Sequence, residues 1–271
     1  MLLHAQIGAN RRRTWVLVGS FLLLFAVAGA AFGVVASDNW IVGLVIAAVL
    51  GAVYVAIMSR AGTKVVMAMN RAREIKSEDD YPFVWNTVEA LSIAARVPMP
   101  KVYIIDDASP NAFAAGMTPE NAAVAVTTGL LKRLDRQEIE GVIAHEIAHI
   151  QNYDVRLATT AIALVSVVAI LSDLSRRMLW YSGGRRRRRS SERSGQGGAV
   201  VQLVALLFLV LAPLVATLVQ LAISRNREYL ADATGAELCR NPRALASAPR
   251  KISEAPEPVR AASAACASLY I

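Results

Sequence analysis

Long uninterrupted runs of apolar residues dominate the N-terminal part of the chain. Trp15–Ala36 and Trp40–Met58 each match the roughly 20 residues that an α-helix needs to cross a bilayer. Only the polar stretch Ser37–Asn39 separates the two runs, which is a length that suits a tight hairpin. The first run is also longer than the apolar core of a cleavable signal peptide. The pattern therefore predicts a transmembrane hairpin within residues 1–62.

Basic residues flank this hairpin on one side. Arg11–Arg13 precede it, whereas the connecting segment offers only the acidic Asp38. The cations that follow the hairpin are Arg60, Lys64, Arg71, Arg73 and Lys76. Because Lys and Arg concentrate on the cytoplasmic side of membrane helices, we expect the N-terminus and the chain after Met58 to be cytoplasmic.

Shorter periodic segments follow the hairpin. Apolar residues recur at helical spacing across Tyr81–Arg96, which predicts an amphipathic helix. Lys101–Ser109 is rich in β-branched and aromatic residues, as is typical of a strand. Pro110–Met117 and Asn121–Leu131 are interpreted as two more strands, joined by a turn at Thr118–Asn121. Together these strands predict a small mixed sheet, partly antiparallel.

A strongly buried helix is predicted after this sheet. Asp135 and Glu138 have the spacing of a capping box, and isoleucine and valine recur at helical spacing up to Ile150. This helix carries two of the three histidines in the chain, His145 and His149.

Two further apolar runs, Leu157–Ser175 and Ala199–Ser224, surround a Gly/Ser/Arg-rich loop at 176–198. Their lengths favour two more membrane-spanning helices. Spanning would place Arg185–Arg189 outside, against the charge rule, so re-entrant or buried helices are the alternative. The chain thus has four predicted parts: the hairpin 1–62, a first extramembrane part 63–156 with the two histidines, a hydrophobic hairpin 157–223, and a second extramembrane part 224–271.

Composition supports the membrane prediction. The chain is 55% hydrophobic and has a mean hydropathy of +0.42, values too high for an ordinary soluble domain. Its net charge of +8 is compatible with nucleic acid or anionic lipid as a partner. No aromatic residues interleave with Arg185–Arg189, so we expect these arginines to contact anionic headgroups rather than nucleic acid. Cys239 and Cys266 do not have the spacing of a disulfide framework.

The candidate chemistry lies in the sequence His145-Glu146-Ile147-Ala148-His149. Residues four apart share one face of a helix, so the two imidazoles can reach one ion, and imidazole suits zinc. Glu146 points away from this pair, where it can take a proton from water. Two histidines that merely occur in a core helix would need compensating partners, which makes zinc the better interpretation.

A catalytic zinc keeps three protein ligands and one open position. His4 precedes the first membrane helix and is a poor third ligand. Within Ser224–Glu237, Glu228 and Asp232 are four residues apart, so Glu228 can bind the ion while Asp232 hydrogen-bonds a ligand imidazole. Other acidic residues compete for this role, and a solvated acid pair beside neighbouring arginines is the alternative.

Four segments in this order carry a resemblance to a known family: PNAFAAG, AAVAVTTGLL, EIEGVIAHEIAHIQNYD and SRNREYLADA. They resemble the HtpX group of membrane zinc metallopeptidases, which are Glu-zincins related to the CAAX prenyl proteases. The resemblance implies a predominantly helical α+β fold, in which a multi-pass membrane protein carries a cytoplasmic zincin-type catalytic domain. The site residues that it implies are the zinc ligands His145, His149 and Glu228 for one ion per chain, the general base Glu146, the orienting residue Asp232, and the cleft residues Asn111, Ala112 and Phe113.

The resemblance also implies a role in quality control and the stress response. We expect a bacterial plasma-membrane endopeptidase that cleaves unfolded, misfolded or damaged membrane proteins from the cytoplasmic side. An oxyanion donor is not singled out, and Tyr229, Arg225 and Arg227 are the nearby candidates. Members of the group usually continue beyond a segment like Ala261–Ile271, so we expect the chain either to be truncated or not to need that tail.

The main alternative is a non-catalytic membrane scaffold with a structural metal and a lipid-binding basic loop. Structural zinc sites are closed and usually rich in cysteine, and neither cysteine has such spacing here. A third interpretation is an RNA-associated membrane protein that acts through the arginines. Deletion of Gly183–Gly198 would separate these interpretations from the enzyme.

Overall fold

A computed structural model describes residues 2–166 and 225–255 of the chain. The structure divides into two compact units. We call residues 1–14, 60–162 and 222–271 the α/β unit, and residues 15–59 and 163–221 the hairpin unit. The predicted loop 176–198, with Arg185–Arg189, and the run Ala199–Ser224 lie outside the described residues, as does Cys266.

Residues 15–59 of the hairpin unit belong to two long helices and the short break between them, and the outer ends of both helices belong to the α/β unit. Helix α1 spans Leu2–Ser37 and α2 spans Trp40–Met69, so the break falls where the polar residues predict it. Asn39 starts α2 because its Oδ1 accepts the backbone N–H of Ile41 at 3.0 Å. The helices approach closely at glycines: a Cβ on Gly33 would lie 2.8 Å from Gly43 Cα. Small residues at such contacts are common between membrane helices.

The outer surface of these helices is apolar. Gly8–Val34 and Trp40–Met69 have mean hydropathies of 2.3 and 2.7, and 22% and 17% of their most apolar windows are buried. Leu23 and Leu50 are 66% and 57% exposed. By length and composition both helices could cross a membrane, and both are longer than the apolar runs that predict them.

The α/β unit contains a small sheet and several helices. After α2 the described elements are β1 (Arg73–Ile75), α3 (Pro82–Ala95), β2 (Lys101–Ile105), β3 (Ala112–Ala115), β4 (Ala123–Thr127), α4 (Thr128–Arg133), α5 (Arg136–Gln151), α6 (helical over residues 154–166), α7 (Arg225–Cys239) and α8 (Pro242–Ser253). The sheet order is β1-β2-β4-β3. Its central pair is parallel and both outer pairs are antiparallel, so the predicted mixed sheet is confirmed.

Two details of the sheet differ from the prediction. The strand predicted over Asn121–Leu131 ends at Thr127, where α4 begins. The reason is local, because the Thr127 hydroxyl accepts the backbone N–H of Leu130 and caps the new helix. Strand β1 was not predicted; it is three residues long and pairs Arg73 with Ile104.

Alternating residues of the strands fill two separate cores. Val102 and Ile104 of β2 pack with apolar residues of α3 and α5. Tyr103 and Ile105 belong to a second cluster, which includes Met67 near the end of α2. Both faces of the sheet are therefore covered, and α5 is held firmly against one of them.

Candidate metal centre

Helix α5 presents the predicted His-Glu-x-x-His residues from a fixed position. Asp135 and Glu138 form the predicted capping box, with reciprocal hydrogen bonds of 2.9 and 3.0 Å. Glu138 also binds Lys251 and Ser247 of α8, so the start of α5 is tied to a second helix. Burial of Glu138 acts to raise its pKa, but its hydrogen bonds to Lys251, Asp135 and Ser247 outweigh the effect of burial, so the pKa is lowered. A helix anchored in this way holds its later side chains in register.

Helix α7 brings its acidic residues onto α5 by close packing. Glu228, Ala231, Asp232 and Gly235 share one face at helical spacing. Ala231 is fully buried, and a Cβ added to Gly235 would lie only 3.1 Å from the backbone nitrogen of His145. A larger residue there would push the two helices apart. The glycine therefore permits the approach that places Glu228 and Asp232 beside the histidines.

Three ligand atoms converge between α5 and α7. His145 Nε2 lies 3.1 Å from His149 Nε2, and Glu228 Oε2 lies 3.5 and 3.6 Å from these two nitrogens. Tetrahedral zinc with bonds of about 2.0–2.1 Å separates its ligand atoms by about 3.3 Å. The spacing and the donor set, two imidazoles and one carboxylate, both fit such an ion. Among the described residues, these three form the cluster that could hold a metal.

Each imidazole is oriented by a carboxylate on its other nitrogen. His145 Nδ1 lies 2.9 Å from Oδ1 of Asp232, the residue for which the sequence analysis predicts a hydrogen bond to a ligand imidazole. His149 Nδ1 lies 3.2 Å from Asp154 Oδ2. Both contacts favour the tautomer with hydrogen on Nδ1, which directs the Nε2 lone pairs to the shared centre.

Asp154 was missed by the sequence reasoning. Its side chain is 4% exposed, an unusual location for a carboxylate without a specific partner. The feature of the sequence that could have indicated Asp154 is its position: it lies three residues beyond the end of α5 and ends the segment EIEGVIAHEIAHIQNYD. Spacing along the chain did not indicate its contact with His149, because residues 152 and 153 form a turn between the two helices.

The centre is strongly acidic for its size. Burial opposes protonation of both histidines, yet the surrounding carboxylates outweigh it and raise the pKa of His145 to about 9 and of His149 to about 10. The hydrogen bonds that Glu228 makes with His145 and His149 lower the pKa of its carboxylate. An environment that favours positive charge to this degree also favours a divalent cation, which competes with protons for the imidazoles.

Glu146 lies beside the three ligand atoms but is held differently. It is 4% exposed, and its carboxylate accepts a hydrogen bond from the backbone of Ala114 in β3. Burial raises its pKa, although the two histidines act in the opposite direction. A buried carboxylate with a raised pKa next to a cation site is suited to exchange protons with a reacting water.

The remaining predicted residues are less closely gathered. Asn111 is buried just before β3, and Ala112 and Phe113 are buried within this strand, which is the last in the sheet order. Tyr229 is 68% exposed, whereas Arg227 is buried and interacts electrostatically with Asp154 and Glu228. The side chain of Arg225 lies outside the described part of the chain.

Comparison with known proteins gives a consistent result. The family model of Peptidase family M48 matches residues 82–267. A protein named Protease HtpX homolog from Listeria monocytogenes serotype 4b is 52% identical over 273 residues, which cover 99% of this chain and 90% of that protein. Proteins of the same name from Streptococcus gordonii and Ligilactobacillus salivarius are 48% and 47% identical over 270 residues, which in each case cover 100% of this chain and 90% of that protein.

Proposed function

Because the chain belongs to peptidase family M48 and is therefore a metallopeptidase, we propose that it hydrolyses peptide bonds of misfolded or damaged membrane proteins at the cytoplasmic face of the membrane. The observation that carries this proposal is the convergence of His145, His149 and Glu228 beside the buried carboxylate of Glu146. The scaffold alternative loses its support, since the family is one of peptidases.

We propose that the metal is zinc, one ion per chain, held by His145, His149 and Glu228. Two imidazoles and one carboxylate are a known ligand set of catalytic zinc, and they leave a fourth position open. A bound zinc ion supplies Lewis acidity, which polarises a scissile carbonyl and acidifies water. Asp232 and Asp154 keep the two imidazoles in the ligating tautomer through their contacts with Nδ1.

Glu146 is the proposed general base. It accepts a proton from the attacking water and then donates it to the nitrogen of the leaving amine, which balances the hydrolysis. The backbone hydrogen bond from Ala114 orients its carboxylate, so little reorganisation is needed during the reaction. The raised pKa brings this carboxylate closer to the working pH, where a group can both take up and release a proton.

Strand β3 is the proposed substrate-binding edge. It pairs with β4 on one side and is the outermost strand in the described sheet, so an extended peptide could add to its other side. Main-chain pairing there would present Asn111, Ala112 and Phe113 to the substrate. Recognition through backbone groups favours unfolded segments over particular sequences, which suits a role in quality control and stress response.

The cellular location is proposed from charge and hydropathy. Arg11–Arg13 and the cations after Met58 favour a cytoplasmic α/β unit at the plasma membrane of a bacterium. We also propose that Arg185–Arg189 contact anionic lipid headgroups, because polybasic segments beside apolar runs are attracted to them.

Replacement of Glu146 by glutamine tests the proposal. Full-length Glu146→Gln protein in detergent should bind zinc like the wild type, because the ligands are intact, but should no longer cleave casein. Glu140→Gln is the matched control, since it makes the same chemical change on the same helix and should leave both properties unchanged. A Glu146→Gln protein that still cleaves casein would remove Glu146 from its role. A wild-type protein that binds no zinc would overturn the metal assignment.

A further inference from the structure

A polar residue of α1 reaches the metal centre indirectly. Asn10 lies in the part of α1 that belongs to the α/β unit, ahead of the apolar run, and is 3% exposed. Its side-chain Nδ2 donates a hydrogen bond to Asp154 Oδ1 and also lies 3.5 Å from the carbonyl oxygen of Asn152. These residues are more than 140 positions away along the chain.

The two oxygens of Asp154 have separate partners. Oδ1 accepts from Asn10, and Oδ2 faces His149 Nδ1 at 3.2 Å. A carboxylate held at one oxygen cannot rotate freely about its own side-chain bonds. The bond from Asn10 therefore fixes the direction in which Asp154 offers its second oxygen to the imidazole.

A buried amide at this position needs an explanation. An apolar side chain would pack inside the α/β unit without losing hydrogen bonds to water, whereas a buried amide must recover those bonds inside the protein. Nδ2 of Asn10 finds its partners on Asp154 and on the carbonyl of Asn152, the residue that follows α5. Thr14, one turn later and equally buried, instead satisfies its hydroxyl on the carbonyl of Asn10 within the same helix.

We propose that Asn10 is a positioning residue of the metal centre: it holds Asp154 in the orientation in which Asp154 aligns His149 for the metal. This inference rests on the proposed function, because it assumes that His149 is a zinc ligand. It adds a residue from the N-terminal helix to a centre otherwise built from α5, the turn after it and α7.

Zinc affinity of the full-length protein in detergent tests the proposal, measured by competition with a chelator of known affinity. Loss of a residue that supports a metal ligand typically weakens binding about 10–100-fold. We expect Asp154→Asn to fall in this range and Asn10→Leu, similar in size but without a donor, to weaken binding about tenfold. Thr14→Val should bind zinc like the wild type. The double variant Asn10→Leu/Asp154→Asn should bind no more weakly than Asp154→Asn alone, because Asn10 acts through Asp154.

Asn10→Ser guards against an effect of misfolding. Its shorter side chain removes the bond to Asp154 with a smaller change in polarity, and it should weaken zinc binding as Asn10→Leu does. Wild-type zinc affinity in both Asn10 variants would overturn the proposal and leave the proposed function intact. Fully additive losses in the double variant would also overturn it. If the wild type binds no zinc, the proposed function fails and this inference fails with it.

Discussion

At the scale of single residues, Glu228 has the most consequential position of the acidic side chains on α7. Its Oε2 lies within 3.6 Å of Nε2 of both His145 and His149, and its side chain is half exposed. We predict that Glu228→Ala weakens zinc binding by more than the roughly 10–100-fold typical of losing a supporting residue, because a direct ligand is removed. The zinc content of purified protein after dialysis measures this loss.

Glu237 provides the matched control for this prediction. It lies on the same helix, carries the same charge and is exposed. Glu237→Ala should therefore keep its zinc. Equal losses of zinc in the two variants would show that a general loss of negative charge, rather than of a ligand, governs binding.

The residues of the centre differ in how well sequence could identify them. His145, Glu146 and His149 lie within one helical turn or so, where helix geometry alone fixes their relationship. Glu228 is separated from them by a long apolar segment, so its choice among several acids depended on the resemblance. Asp154 depended on the turn after α5, and Asn10 on contacts between segments far apart in the chain. No local pattern encodes such contacts.

At the scale of elements, the packing of α7 against α5 sets the geometry of the centre. Gly235 contacts the backbone of His145 so closely that an added side chain needs the helices to separate. We predict that Gly235→Val weakens zinc binding at least tenfold and lowers the free energy of unfolding by about 1–3 kcal/mol, because overpacking displaces Glu228 and Asp232. Chelator competition and thermal unfolding measure the two effects.

Ala233→Val separates this packing effect from helix propensity. Ala233 is exposed on the same helix, so valine there costs only the roughly 0.5 kcal/mol of its lower helix propensity. Zinc binding by Ala233→Val should match the wild type. If Gly235→Val also bound zinc normally, close packing of α7 would not be needed for the centre.

Element boundaries followed from the sequence where local chemistry decides them. The capping box at Asp135 and the polar break at Ser37–Asn39 are short-range signals, and both lie at the expected positions. The predicted end of β4 was wrong because Thr127 is both the last residue of the strand and the N-cap of the next helix. Strand β1 was not predicted because three residues are too few to show a periodic pattern. The strand forms because it pairs with β2, a contact that the local sequence does not indicate.

At the scale of the whole molecule, each of the two long helices belongs partly to the α/β unit and partly to the hairpin unit. α1 begins in the α/β unit and continues into the apolar run of the hairpin unit, and α2 passes back in the reverse order. The apolar runs were clear from the sequence, because hydropathy alone identifies a run of about 20 apolar residues, without any periodic pattern. Their extension before Trp15 and past Met58 was not clear from composition, since these segments carry polar and charged residues. The added part of α2 contributes Val66 and Met67 to a core cluster of the α/β unit.

The orientation of the hairpin is the prediction at this scale. Cations flank both outer ends of the two helices and Asp38 lies in their connection, so the connection should face away from the cytoplasm. Ser37 and Ser77 are both exposed, and each can be replaced by cysteine with little change in size. In a background with Cys239→Ala and Cys266→Ala, a membrane-impermeant maleimide should label Ser37→Cys in intact cells, but Ser77→Cys only after the membrane is disrupted. The cysteine-free background should not be labelled in either condition. The reverse pattern would place the α/β unit, with its metal centre, outside the cytoplasm and would remove the proposed access to cytoplasmic substrates.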